Sequence, residues 1–285
     1  PIPIAHAYTY NAPGIGSSFS NIQGLLGFSS AMPFDLNTNL VGQGQTFVSS
    51  TGTQLGERRD VFIEGTLLTP LNNHSIATLT DALAIYNLFA TIDPSLNQNI
   101  SGITDILKAA SSDPFTSLEG SLDGFRKLFL GANVTLTIPF DREAYYTNLL
   151  ALKSNISPTG QPLAGYTITS LVNQSSGSVY SQAKASTADG LAYRYALNEL
   201  NPFVVLGANY TAHNGAGVLD LYSTGTGQGT WTSLALNDRA EVLAAKNLVN
   251  VNDGGVLAGL GADTRFVDIQ TGFEFGNTLT ALNDV

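Results

Sequence analysis

The stretch from Asp60 to Pro94 constrains the fold most. Asp60-Val61-Phe62-Ile63-Glu64-Gly65 is a short apolar run closed by glycine, which reads as a buried strand. A loop follows, and then Ile76, Leu79, Leu83, Tyr86 and Phe89 recur at three- and four-residue steps, the period of an amphipathic helix. Ser75 is placed to cap the first turn. Pro94 ends the helix, because it has no N–H to donate and restricts Asp93 before it. His74 therefore falls on the loop at the helix mouth, where an enzyme can place a base.

Composition excludes several classes of protein. Twelve Lys and Arg against 22 Asp and Glu leave a net charge of -10, which argues against nucleic acid, anionic membranes and acidic substrates as partners. The absence of cysteine removes disulfides, thiolate metal sites and a cysteine nucleophile. No apolar run approaches the ~20 residues of a membrane helix. Low charge, 29 glycines and abundant Asn, Ser and Thr suit an extracellular bacterial protein. Pro1-Ile2-Pro3-Ile4 has neither an initiator Met nor a signal-peptide pattern, so a processed or excised fragment is expected.

Ile4 to Tyr10, with His6 inside it, alternates as a strand and is broken by Asn11-Ala12-Pro13-Gly14. Ile22 to Phe28 reads as a short helix, and Asn39 to Val41 and Gln45 to Val48 as strand material. Residues 1–95 thus form an α/β segment. The remainder, 96–285, reads as a helix-rich α+β region. Helices are expected over Ile100 to Ala110, Ser117 to Leu130, Arg142 to Lys153, Ala188 to Leu200 and Leu234 to Asn250. Strands are expected over Asn133 to Pro139, Leu163 to Val172, Val204 to Leu206 and Val218 to Tyr222. Phe266 to Ile269 and Phe273 to Phe275 make a hairpin about Gln270-Thr271-Gly272.

Tyr8-Thr9-Tyr10-Asn11-Ala12-Pro13-Gly14, the Asp60 to Glu64 strand and Asn73-His74-Ser75-Ile76 with its helix together resemble the downstream half of a lipase-like α/β-hydrolase domain. Such domains occur in large secreted bacterial proteins with RTX calcium-binding repeats. Leu197 to Val205, Gly217 to Tyr222 and Leu236 to Glu241 resemble an accessory region that follows it. The resemblance implies a partial hydrolase-like sheet, a secreted location and, if the site is active, ester hydrolysis by acyl transfer with His74 as base. No Gly-x-Ser-x-Gly occurs, so the serine would come from an upstream segment or a second chain. The acid would be Glu57, Asp60 or Asp35. The alternative is a structural or adhesion module on an inactive scaffold, with self-association as a further partner expectation.

The plainer readings stand beside these. His74 is either the base, holding a carboxylate on Nδ1, or a capping histidine donating to a carbonyl. His6 reads as a core residue and His213 as a turn residue; three scattered histidines lack zinc spacing. Gly259-Leu260-Gly261-Ala262-Asp263 has the core of a single RTX repeat, and Asp220 with Ser223, Thr224 and the glycines to Gly229 offers oxygens, so Asp220 and Asp263 are the calcium candidates. Each also reads as an ordinary turn. Asp238, Arg239 and Glu241 read as helix-orienting ion pairs. Trp231, Tyr210 and Tyr222 form either a sugar-stacking platform or buried core.

Overall fold

A computed structural model describes residues 7–10, 37–43, 56–64, 76–111, 113, 115–131, 133–159, 161–222, 229–251, 265–268 and 273–276. The protein is mixed α/β and helix-rich, and it divides into two compact units, Pro1–Ile85 and Tyr86–Val285.

The first unit contains a parallel sheet in which β1 (Ala7–Tyr10), β2 (Asn37–Gly42) and β3 (Glu57–Val61) lie in sequence order. The middle strand is the buried one: Thr38, Asn39 and Val41 are all shielded from solvent. Among the described residues β3 pairs only with β2, and its first four residues are all charged. Side chains two apart share a face of a strand, so Arg58–Asp60 (2.8 Å) pairs on one face and Arg59–Glu57 (2.9 Å) on the other. Charges on both faces suit an edge strand, because they discourage further pairing. The apolar Phe62 and Ile63, expected inside the strand, are buried just beyond its end.

Helix α1 (Ile76–Ile92) carries the expected apolar period, but its buried set differs. Leu79, Tyr86 and Phe89 are buried as expected, whereas Ile76 is exposed and Leu83 only half-buried. Ala82, Ile85, Leu88 and Ile92 complete the buried set. Burial widens toward the C-terminal half, as in a helix enclosed on more than one side. The exposed Thr80 and Thr91 hydroxyls donate to the carbonyls of Ile76 and Asn87. Helix α1 ends one residue before Asp93, whose backbone is extended as the residue before proline requires.

In the second unit a 3-10 turn (Pro94–Gln98) leads into α2 (Ile100–Ala109), α3 (Ser117–Leu130) and α4 (Arg142–Ile156). Then come β4 (Thr167–Ser170), α5 (Ser176–Ala183), α6 (Ala188–Glu199), β5 (Phe203–Leu206) and α7 (Ser233–Val251). Local chemistry sets these ends. Asn99, Asp141, Ser175 and Thr187 cap α2, α4, α5 and α6 by accepting a backbone N–H in the first turn. β4 and β5 pair antiparallel with Ile168 opposite Val205. Phe89, Phe125 and Phe203 meet edge to face and tilted, with centroids 4.7 to 5.9 Å apart. This aromatic cluster fastens α3 and β5 to the end of α1. β6 (Arg265–Asp268) and β7 (Phe273–Gly276) form an antiparallel hairpin.

Two expected strands are absent. Val134 to Ile138 runs without helix, turn or bend and pairs with no strand among the described residues. It is held instead by Asp123, whose carboxylate accepts from the N–H and hydroxyl of Thr137. Val218 to Tyr222 contains turns and one bridge, Leu221 to Trp231. Asp220 N donates to Gly217 O, so the chain there folds on itself. The readings over Ile22 to Phe28 and Gln45 to Val48 lie outside the described residues.

Candidate functional site

Because β1, β2 and β3 are parallel, their carboxyl ends, Tyr10, Gly42 and Val61, lie along one edge of the sheet. Open parallel sheets bind ligands outside that edge. The N–H of Gln43 donates to Val61 O at 2.8 Å, tying the exit of β2 to that of β3. The chain leaves β3 through Phe62, Ile63 and Glu64, and α1 begins at Ile76. In the sequence His74 stands two residues before that start. His74, Asp35, Asp263 and His6 themselves lie outside the described residues, as do Ser75, Ser223, Thr224 and the Gly259 to Asp263 motif.

Of the two described acid candidates, Glu57 begins β3 at the amino edge, about 10 Å along the strand from Asp60. Asp60 sits one residue before the carboxyl end. Both are exposed and already paired: Arg58 donates to Asp60 Oδ1 from Nε and Nη2, and Arg59 donates to Glu57. The Glu57 hydrogen bond is the largest cause holding the Arg59 guanidinium above its ordinary value. The connection between β2 and β3, residues 43–56, contains no Asp or Glu. Asp60, but not Glu57, thus lies near the carboxyl end of β3, from which the chain continues through Phe62, Ile63 and Glu64.

Asp220 is half-buried in a turn. Its Oδ1 accepts from Asn214 Nδ2 at 2.8 Å, and Asn214 Oδ1 accepts from Leu219 N at 2.7 Å. Gly229, at φ 87°, permits the turn to close, since a Cβ there would stand 2.4 Å from Asp220 O. Calcium takes six to eight oxygens. Among the described residues no three acidic or histidine side chains converge to supply them. Asp220 electrostatically favours the charged form of Arg194.

His213 occupies a 3-10 turn and meets Leu128 O in the last turn of α3 through Nε2 at 2.9 Å, with its ring 4.6 Å from that of Tyr195. A helix end leaves its last carbonyls without partners in the helix, and His213 satisfies one. Burial pushes the Tyr195 and Tyr210 hydroxyls well above the ordinary phenol range, with Glu199 adding to the shift at Tyr195. Trp231 and Tyr210 are buried, Tyr210 donating to Val205 O at 2.7 Å, and of the three aromatics only Tyr222 is exposed. The platform reading gives way to the core reading.

Several polar residues that organise the second unit carry little signal in the sequence. Asp93, legible only as a helix stop, is buried; Oδ1 accepts from the N–H and hydroxyl of Ser95, and Oδ2 from Ile168 N at 2.8 Å. One carboxylate thus joins the end of α1 to β4. Arg194 is buried on α6, with Nη1 donating to Ala183 O and Ala185 O at 2.6 and 2.9 Å and Nε to Leu219 O. A lone cation among Leu191, Tyr195 and Leu197 is the only hint of it. Glu119 is buried with one oxygen on Arg142 at 3.1 Å, while Arg142 lies 4.1 Å over the Tyr145 ring. No family model, curated protein or solved structure matches this chain.

Proposed function

We propose that the first unit is the His-bearing downstream part of a secreted bacterial serine esterase or lipase-like protein. The observation carrying this reading is that β3 belongs to a parallel sheet and is followed by helix α1, with His74 between the two in the sequence. In this reading His74 accepts the proton of a serine hydroxyl as it attacks an ester carbonyl, then returns it to the leaving alkoxide. The serine comes from sequence outside these 285 residues, in an upstream segment or a second chain. Asp60 is the acid candidate best placed along β3, and it must exchange Arg58 for the imidazole to serve. The test is a fluorophosphonate probe applied to the protein isolated from its natural source. The expected result is one labelled serine in a Gly-x-Ser-x-Gly segment, with labelling reduced at least 100-fold by His74→Ala, on the ~10²–10⁴ scale of general-base catalysis. Absence of a labelled serine, or labelling indifferent to His74, refutes the reading.

A second reading, an extracellular structural or adhesion module on an inactive hydrolase-like scaffold, is favoured by one observation. Both described acid candidates are committed to arginines, and residues 43–56 offer no other carboxylate.

A further inference from the structure

We propose that the segment Val134 to Ile138 is a self-pairing edge, through which two copies of this chain join antiparallel about a two-fold axis at Leu136. The segment lacks helix, turn and bend, and the N–H and C=O groups of Val134 and Leu136 make no backbone hydrogen bond. Leu136 and Ile138 are 51% and 60% exposed, and Phe140 beyond them is 67% exposed. Thr137 points the other way. It is buried, its N–H and hydroxyl on Asp123, with Arg126 and Asn148 also reaching its hydroxyl oxygen.

That anchoring selects the free edge. In an extended chain successive backbone groups point to opposite edges, so a Thr137 N–H directed at Asp123 leaves those of Val134, Leu136 and Ile138 on the outer edge. The Ile138 carbonyl accepts from Asp141 N and keeps a second lone pair.

The occupant follows from the residue order. Val-Thr-Leu-Thr-Ile is nearly symmetric about Leu136. Antiparallel pairing centred there sets Leu136 opposite Leu136, Thr135 opposite Thr137, and Val134 opposite Ile138. Each is a favourable cross-strand pair. The hydrogen-bonded positions are the same three residues whose backbone groups point to the outer edge, so both strands bond in one register. No ionisable side chain lies between Leu128 and Phe140, so two chains of net charge -10 meet here without like charges in contact. A C2 contact of this kind is closed and stops at the dimer. The area sets its strength. Stable interfaces use ~20–30 residues a side, and this edge offers far fewer, so the dimer belongs to the weak, concentration-dependent class.

The test uses the full 285-residue chain in sedimentation velocity from micromolar to near-millimolar concentration. The weight-average mass should rise from 29.9 kDa toward twice that value. Leu136→Lys, which opposes two ammonium groups across the axis at an exposed site, should keep it at 29.9 kDa. Since the chain has no cysteine, introduced thiols report the register. Leu136→Cys should form a disulfide dimer under mild oxidation, the Cα separation being about 5.5 Å in such a pair. Val134→Cys and Ile138→Cys should cross-link only when mixed, because each alone lies about 13 Å from its own copy. A chain monomeric throughout, equal cross-linking of all three variants alone, or a monomer that instead binds phosphatidylcholine vesicles through Leu136, overturns the proposal.

Discussion

Replacing Arg194 by methionine tests how the second unit is held together. The guanidinium donates to three carbonyls, those of Ala183, Ala185 and Leu219, so one side chain fixes the end of α5, the turn after it and the loop at Leu219 onto α6. Hydrogen bonds from a charged donor contribute ~1.5–3 kcal/mol each, giving a gross loss of ~4.5–9 kcal/mol. Part of that is offset, because methionine is spared the several kcal/mol of burying a cation. That cost already shows at Arg194, where burial pulls the guanidinium below its ordinary value and Asp220 opposes the shift. The expected net destabilisation is about 3–5 kcal/mol, the range for leaving one side of a buried charged network without its partner. Trp231, the sole tryptophan, is buried in the same unit and reports unfolding by fluorescence. With a urea slope of ~2–3 kcal/mol/M, the midpoint should fall by about 1–2 M. Arg194→Lys should recover only part of this, since a compact ammonium cannot span three carbonyls as the planar fork does. A midpoint shift below about 0.3 M for Arg194→Met would refute the reasoning.

Phe125→Ala empties the centre of the Phe89–Phe125–Phe203 cluster and should cost about 3–5 kcal/mol in the same urea titration. Glu57→Gln and Asp60→Asn each remove an exposed ion pair on β3 and should change stability by no more than about 1 kcal/mol, measured by thermal unfolding. Tyr195 and Tyr210 stay protonated in the folded protein above pH 10, where phenols of the unfolded chain ionise. The folded state then holds the extra protons, and stability should fall by roughly 1.4 kcal/mol per pH unit for each. Lys246, lowered chiefly by burial and also by Lys127 and Arg239, acts the other way, but only up to the ordinary lysine pKa of about 10.4. Urea midpoints should therefore decline clearly between pH 10.5 and 12, and Tyr210→Phe should flatten that decline.

Most helices were legible because their information is local, although α5 was not read from the sequence. The span read for α3, Ser117 to Leu130, is the span found, and α2, α4, α6 and α7 differ from theirs by a few residues at their ends. Capping side chains and a proline act within one turn, and the apolar period repeats within the element. The strands were less legible. Asn133 to Ile138 and Thr167 to Ser170 alternate alike, yet among the described residues only the second finds a partner strand, at β5. Of the candidate site, the sequence placed His74 between a strand and a helix but did not rank the acids. Glu57 and Asp60 stand three residues apart on β3, Asp60 nearer its carboxyl end.

By itself, the sequence determined most of the helices and the exclusion of cysteine chemistry. These follow from residue type and spacing over a few positions. The tertiary structure decided which alternating runs pair and what the buried charges hold. A strand's hydrogen bonds, and the contacts of Asp93 with Ile168, of Asp123 with Thr137 and of Arg194 with Leu219, are supplied by residues distant in sequence. Burial then makes those polar contacts obligatory.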